Sequence, residues 1–514
     1  MTNWNNGYVT DINYTFGYYP ELNPLRLRFA FLNKGLQCPD ITTACELGFG
    51  QGISANIHAA ASLVQWSGTD FNPSHAQFAQ QLVRILGANG RFFDQSFAEF
   101  CNRTDLPDFD YVGLHGVWSW VNDENREIIV DFLRRKLKVG GVVYLSYNTQ
   151  AGTLPIVPMR DVLFRHTKVM SSQGIGTASR INAALDFLDD LLAVNPNYLR
   201  HNPQVAERLK NLKEHRHNHS YIAHEYFNND WHPLSFEQTA DILEPAKLSF
   251  ACSAHYFDHI DNLNLTIEQQ QLLNSIPDRI LREIVQDICT NQQFRRDYWV
   301  KGPITLTPLE RQDALRTQRV ILIRTPQDIS LKVSGALGEG LLQDTIYKPI
   351  LTVLANYQPM SLAQIEQAVA HFGIHFEQII EAVFILIGAH ILFAVQDDAV
   401  ITESKKQTDK FNQFICDKAR SRGDLTYLAS PVIAGGIPLS SIQQLFLYAR
   451  MQGNTNPHQT AQFVWSWLSM QNEHIVKNGE LIQTEAETLI ELERQAQEFI
   501  EKQLPILISL GICD

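Results

Sequence analysis

Between residues 41 and 148 short apolar runs alternate with amphipathic stretches, the rhythm of strands joined through helices. The pattern predicts strands at 42–47, 64–70, 91–93, 109–115 and 141–148, and helices at 52–62, 74–87 and 124–137. The last helix is expected to stop at Gly140-Gly141, as helix C-termini often do. Such alternation describes an α/β fold, a parallel sheet covered by helices on both faces. From Gln150 to about Thr239 the spacing turns helical and strand signals vanish, so this stretch reads as an insertion capping the sheet's carboxyl edge. Strand-like runs return at Leu248 to Tyr256 and Val320 to Ile323, either of which could complete the sheet.

Residues 341–401 read as helix, a turn at Pro359-Met360-Ser361, two more helices and a strand at Ile391 to Val395, a winged-helix-like order. Its third helix, beginning at His375, carries no lysine or arginine through Leu386, which argues against a major-groove role. The remainder reads as helical, with Asn456-Pro457 and Thr484-x-x-Glu487 as helix starts. The longest nearly apolar run, Ala382 to Val395, is 14 residues and contains His390. A spanning helix needs about 20, so the run predicts a buried helix entering a strand rather than membrane insertion.

A net charge of −13 opposes general nucleic-acid binding, which depends on cationic neutralisation of phosphates. The seven cysteines are scattered without a Cys-x-x-Cys pair, and the N-terminus lacks a basic start followed by an apolar run. Together these predict a cytoplasmic protein without disulfides or a thiolate metal site. His215-x-His217-x-His219 lies among Arg208, Lys210, Lys213 and Arg216, and reads as a solvated basic helix face, attractive to an acidic stretch of a partner, rather than a metal site.

The chemistry concentrates at Glu46-Leu47-Gly48-Phe49-Gly50-Gln51-Gly52, between the first strand and its helix. Glycines there let the backbone turn sharply and a ligand approach closely. A phosphate loop needs Gly-Lys-Ser/Thr, which is absent after Gly52, and a dinucleotide fold wants a glycine where Ile53 stands. Gly-x-Gly-x-Gly after an acid is the form by which class I methyltransferases hold the methionine end of S-adenosylmethionine, and the loop resembles that form. Asp70 closes the next strand, 22 residues after Gly48, where a carboxylate can accept both ribose hydroxyls of an adenosine. Asp94-Gln95-Ser96-Phe97 follows the third strand, where an adenine is clamped by a polar group and an apolar wall; a helix cap by Asp94 or Ser96 is the competing reading.

His115-Gly116-Val117-Trp118-Ser119-Trp120 ends the fourth strand at the sheet's carboxyl edge, and the N-terminal segment brings Tyr14, Tyr18 and Tyr19. Aromatic faces suit an ammonium acceptor, but attack requires the neutral amine. A lysine with a pKa of about 10.4 is neutral in about one part per thousand near pH 7, so the site must supply roughly 4 kcal/mol by desolvation or a base. His115, Tyr19 and the His224-Glu225 pair are candidate deprotonating or orienting groups; simple packing is the other reading of the two tryptophans.

These residues resemble bacterial class I methyltransferases carrying a methyltransferase regulatory domain, including rickettsial outer-membrane-protein lysine methyltransferases. The resemblance spans most of the chain through Gly7-Tyr8-Val9-Thr10-Asp11, Gly17 to Leu22, Glu46 to Gly52, Gly68-Thr69-Asp70-Phe71-Asn72-Pro73, His115 to Trp120, His224-Glu225-Tyr226 and Phe294 to Gly302. It implies cofactor contacts at Tyr19, Glu46, Gly48, Asp70, Asn72, Ser96 and His115, within a candidate set that also holds Gly50, Gly52, Phe71, Asp94, Phe97 and Gly116. It implies a protein lysine near Tyr14, Trp118 and Trp120. The expected division is a site-covering segment 1–40, a Rossmann-like methyltransferase core 41–150, a helical insertion and sheet completion 151–330, a winged-helix-like unit 331–405 and a helical unit 406–514. The expected partner is a protein with accessible lysines, and the apolar C-terminal helices allow a homodimer.

Overall fold

The computed structural model describes residues 8, 12, 14–87, 90–170, 174–471, 473–477 and 480–514. The Gly7 to Asp11 motif therefore lies outside the described residues except for Tyr8. The central sheet comprises β1 (Thr43–Leu47), β2 (Gln65–Thr69), β3 (Gly90–Phe93), β4 (Phe109–Leu114), β5 (Leu137–Asn148), β6 (Ser249–Ser253) and β7 (Phe294–Val300). Its order is β3-β2-β1-β4-β5-β7-β6, with β3 through β5 parallel to their neighbours and β7 antiparallel to both β5 and β6. Strand order reverses between β1 and β4, and ligands of open α/β sheets bind outside the carboxyl ends at such a point. The strands are buried on both faces, which is why they read as apolar runs rather than as alternation.

The connecting helices are α1 (Pro24–Asn33), before the sheet, then α2 (Ile53–Ala61), α3 (Pro73–Leu86), α4 (Phe97–Cys101) and α5 (Asp123–Lys136). Gly140-Gly141 does not stop α5. The chain passes from Lys136 straight into β5, and Gly140, at φ 83°, sits where the β4–β5 register shifts, its N–H bonded to the Lys301 carbonyl at 2.7 Å. The glycines accommodate an irregularity in a long strand.

Of the two runs expected to complete the sheet, only the first does so, as β6. Val320 to Ile323 contributes to β8 (Arg319–Leu322), in a separate sheet, and the remaining strand of the central sheet is β7. Its sequence, Phe-Arg-Arg-Asp-Tyr-Trp-Val, hides a buried strand because the charges satisfy one another. Buried Arg295 pairs with Glu283, Asp287 and Asp297 at 2.8, 2.7 and 2.9 Å. A hairpin of β9 (Lys332–Gly335) and β10 (Gly338–Leu341) follows. Then come helices Asp344–Val353, Leu362–Val369 and Phe376–Gly388, with β11 (Met360–Ser361) and β12 (Leu392–Ala394) flanking β8. The Ala382 to Val395 run is a buried helix entering a strand. Among the described residues no single helix is long and apolar enough to cross a membrane.

Residues 406–514 are not purely helical: β13 (Tyr427–Ser430) and β14 (Gly435–Pro438) form a hairpin, and a second short pair lies at 476–481. This part packs on α2 and α3 of the central layer. Ile53, Ile57, Leu82 and Leu86 share one core with Phe411, Ile415, Leu428, Ile433 and Leu507, so much of the apolar face of the C-terminal helices is spent within the chain. The insertion has its own core, including Leu163, Leu185, Leu209 and Trp231. Its basic face is partly neutralised, since Lys213 pairs with Asp189, and Arg216 lies 2.7 Å from Asp186. That weakens its attraction for an acidic partner. His219 bonds Asn182 at 3.0 Å, and no metal-holding cluster occurs among the described residues.

Candidate active site

Each glycine of the β1–α2 turn has its own reason for lacking a side chain. Gly48, Gly50 and Gly52 have φ of 76°, 57° and 71°, where L-residues are strained. A Cβ on Gly48 would lie 2.6 Å from Val117 Cγ2, and one on Gly52 2.7 Å from the Ala79 Cβ. Tyr14 lies over Gly50, its ring 3.4 Å from where a Cβ would be. The Gly48 N–H donates to the Thr69 carbonyl at 2.8 Å, and the Gly50 N–H to Asp70 Oδ2 at 2.9 Å. The loop is thus fixed to the end of β2.

Asp70 is buried and accepts from Gly50 N–H, from Asn72 N–H at 3.0 Å and from the His75 ring at 3.2 Å. A carboxylate offers about four acceptor positions, so about one remains for an incoming hydroxyl without rearrangement. Asn72 caps α3 through Ser74 N–H, and Phe71 meets Tyr8 edge-on at 5.5 Å. Glu46 is the unsatisfied partner in this pair of acids. It is 3% exposed and its Oε2 has no hydrogen bond. Burial, with repulsion from Asp70, raises its carboxyl well above the usual range. An orphaned buried carboxylate is costly unless something pairs with it. The donor set fits a ligand carrying an ammonium near Glu46 and a hydroxyl near Asp70, which is the chemistry of S-adenosylmethionine.

The segment after β3 shows its capping job directly. Ser96 N–H and hydroxyl donate to Glu99 at 2.8 and 2.9 Å, and the Ser96 hydroxyl in turn caps α4. Asp94 is exposed, and half-buried Phe97 packs against the core containing Phe100 and Phe132. Gln95 is tied in: its carbonyl accepts from the Thr69 hydroxyl and its side chain from Arg103.

At the end of β4, Gly116 (φ 63°) donates to Ser146 Oγ at 2.8 Å, and His115 lies between two tyrosines. Its ring stacks on Tyr19 at 3.9 Å, and its Nδ1 is 2.8 Å from the Tyr144 hydroxyl. Burial pushes His115 down to about 4, leaving the imidazole neutral at physiological pH. Tyr19 N–H donates to Ser54 Oγ at 2.9 Å, and the Tyr14 and Tyr19 hydroxyls are 3.5 Å apart. Tyr14 meets the His224 ring edge-on at 5.0 Å, and His224 Nε2 bonds the Ile12 carbonyl at 3.0 Å. Burial raises the neighbouring Glu225 carboxyl.

Both tryptophans are engaged in packing. Trp118 is fully buried with Cys45, Leu47, Val112 and Ile129, and its carbonyl accepts from Arg126 Nε at 3.1 Å. Trp120 stacks on Trp231 at 5.8 Å, whose Nε1 donates to Asn148 at 3.1 Å, and this joins core to insertion. The 3-10 turn at 118–120 carries both residues, Trp118 into the core beside the sheet and Trp120 against Trp231. The edge also holds Tyr144, Phe294 and the part-buried Glu21–Arg296 pair at 2.8 Å. Burial pushes Glu21 upward, but Arg26 and Arg296 outweigh it and hold the carboxyl at about 2. Glu21 and Arg296 sit in the motifs Pro20-Glu21-Leu22 and Arg295-Arg296-Asp297; their opposite charges were the only sequence signal, and they lie 275 residues apart.

The strand order with an antiparallel seventh strand, and the glycine loop between two acids, make this a class I methyltransferase fold. Residues 218–301 match a family described as a predicted methyltransferase regulatory domain. Over 514 residues the chain is 40% identical to the uncharacterized protein sll1526 of Synechocystis, covering 99% of each, and it belongs to the same family. It is also 25% identical over 321 residues to the uncharacterized protein RP789 of Rickettsia prowazekii, 60% of this chain and 55% of that protein. Among solved structures, PKMT2 from Rickettsia typhi in complex with AdoHcy matches with a TM-score of 0.72 at 18% identity, covering 97% of this chain and 100% of that one. At that identity the likeness concerns the fold.

Proposed function

We propose that this protein is an S-adenosylmethionine-dependent methyltransferase acting on lysine side chains of a protein, of the outer-membrane-protein type. The observation that carries the donor reading is the orphaned, buried Glu46 carboxylate beside three glycines of positive φ and the backbone-bound Asp70. The complex of PKMT2 with AdoHcy, a protein of the same fold, supports it. S-adenosylmethionine, when bound, supplies an electrophilic methyl group on a sulfonium. Glu46 would hold the methionine ammonium, Asp70 a ribose hydroxyl, and the 94–97 turn the adenine. Tyr14, Tyr19 and His115 would wall the space toward the acceptor.

An acceptor lysine must lose its proton before it attacks. Burial of the amine against the His115, Tyr19 and Tyr144 rings would strip water from its ammonium form and so lower its pKa. Neutral His115, held at Tyr144, orients the amine rather than storing its proton, because a group pushed down to about 4 is a weak base. Alignment of amine and donor supplies most of the acceleration.

Calorimetry with S-adenosylhomocysteine tests the donor half: wild type should bind, and absence of heat would overturn it. Incubation with labelled cofactor and bacterial lysate tests the acceptor half. Label on discrete protein bands, mapped by mass spectrometry to methyl-lysine, supports it; label confined to small molecules makes the protein a metabolite methyltransferase instead.

A further inference from the structure

Residues 16–23 are held from two sides. On the side of the central layer, Tyr19 N–H donates to Ser54, and the Tyr18 hydroxyl meets His58 Nε2 at 3.1 Å, with His58 stacked on Trp66. On the other side stands the β13–β14 hairpin. Asn23 Nδ2 donates to the Ile433 carbonyl at 3.0 Å, and the Tyr427 ring is 5.4 Å from that of Tyr18. Arg422 lies over the Phe16 ring at 4.7 Å.

Two glycines make this contact possible. A Cβ on Gly435 would come 2.5 Å from the Tyr18 hydroxyl, and one on Gly436 3.1 Å from the Tyr18 ring. Neither has a positive φ, so their backbone would tolerate alanine and only space forbids it. The next residue along, Tyr19, stacks on His115; Glu21 holds Arg296; and Tyr14 lies over Gly50. A displacement of Tyr18 is therefore carried within one residue to the wall of the site.

We propose that Gly435 and Gly436 are positioning residues for the methyl-donor site, acting through Tyr18 to hold residues 14–23 over the glycine loop. This gives residues 406–514 a task in cofactor binding, and it rests on the donor reading above. Preorganisation of a binding wall affects affinity without adding a contact, because the cost of ordering the wall is met before the ligand arrives.

The test uses the full chain with Gly435→Ala, Tyr18→Phe and the double variant, read by calorimetry with S-adenosylhomocysteine and by hydrogen exchange over 14–23. Gly435→Ala should weaken binding about tenfold and speed exchange of the segment. Measured against Tyr18→Phe alone, the double variant should recover most of the loss, since the nearest atom, the hydroxyl, is gone and Asn23 Nδ2, 3.0 Å from the added Cβ, is the next; a defect that does not run through Tyr18 would show no such relief. Should Gly435→Ala fail to fold, Tyr18→Phe alone, which adds no atom, should still speed exchange over 14–23 and weaken binding. Wild-type affinity and exchange in Gly435→Ala, a loss unrelieved in the double variant, or an unaltered Tyr18→Phe protein overturns the proposal. Wild-type protein that binds no S-adenosylhomocysteine overturns the donor reading and this role with it, while the exchange cycle separately reports whether Tyr18 holds the segment.

Discussion

The glycine loop and the aromatic edge that we propose faces the acceptor both lie at the carboxyl ends of the strands, yet they are built in opposite ways. The loop is assembled from residues 46–75, with Asp70 and the glycine turn fixed by backbone N–H groups. The edge draws on Tyr14, Tyr19, Glu21, His115, Tyr144, His224, Phe294 and Arg296, from distant segments, and is held by ring contacts, side-chain hydrogen bonds and one part-buried ion pair. A site made of backbone geometry is local and rigid, whereas one made of side chains depends on everything that packs behind it.

Trp118 offers the largest test of that contrast. Trp118→Ala should cost about 3–5 kcal/mol in denaturant unfolding, the ordinary consequence of emptying a large buried site, while folded protein keeps its affinity for S-adenosylhomocysteine. A variant of near-normal stability that has lost only methyl transfer would return Trp118 to the acceptor wall. Asp70→Ala comes next. It removes the acceptor for Gly50 and Asn72 N–H as well as the remaining ribose position, and should weaken S-adenosylhomocysteine by about 100-fold, ~2.7 kcal/mol. Undiminished affinity in calorimetry would remove Asp70 from the cofactor site.

The same contrast explains what was legible in the sequence. Gly48, Gly50, Gly52 and Asp70 were readable because their spacing reflects one turn and two adjacent strands. β7 was not, because Arg295 and Asp297 break its apolar pattern while satisfying each other in the core. Val320 to Ile323 looked as eligible as β6, since an apolar run carries no label for the sheet it joins. Trp118 and Trp120 were placed correctly along the chain at the end of β4, but the 3-10 turn that aims their rings is set by packing against Arg126 and Trp231. Ser96 shows the reverse case: its visible cap signal is realised in full.

Glu46→Gln separates function from stability inside the donor loop. The folded Glu46 carboxyl is raised above its unfolded value, by burial first and Asp70 second. Its contribution is therefore fully present below the unfolded pKa and is lost as pH rises through the folded one. Near neutral pH glutamine should stabilise the ligand-free protein by about 1 kcal/mol and weaken S-adenosylhomocysteine about tenfold. Thermal unfolding with and without ligand reads both; a variant less stable than wild type at neutral pH would show that Glu46 already has a partner.

The smallest expected effect lies behind the acceptor edge, on the opposite face of β7 from Arg296. Burial pushes Asp287 up to about 7 and Asp297 to about 6, although Arg295 pulls both back. Asp287 and Asp297 both face the Arg295 guanidinium, at 2.7 and 2.9 Å, so the two acids are coupled through it. The sign is common to both: the folded pKa lies above the unfolded one, so stability is fully present below about pH 4 for this cluster and falls as pH rises toward about 7. Asp287→Asn removes one participant while keeping a hydrogen-bonding group opposite Arg295. It should flatten the decline in unfolding midpoint between about pH 5 and about pH 7.5, by about 1 kcal/mol or less. The acceptor edge would then be pH-sensitive through its support, while the donor loop's affinity stays unchanged in the same variant. A wild-type midpoint that rises over this interval would mean that Arg295 holds Asp287 and Asp297 ionised and that β7 is a fixed support.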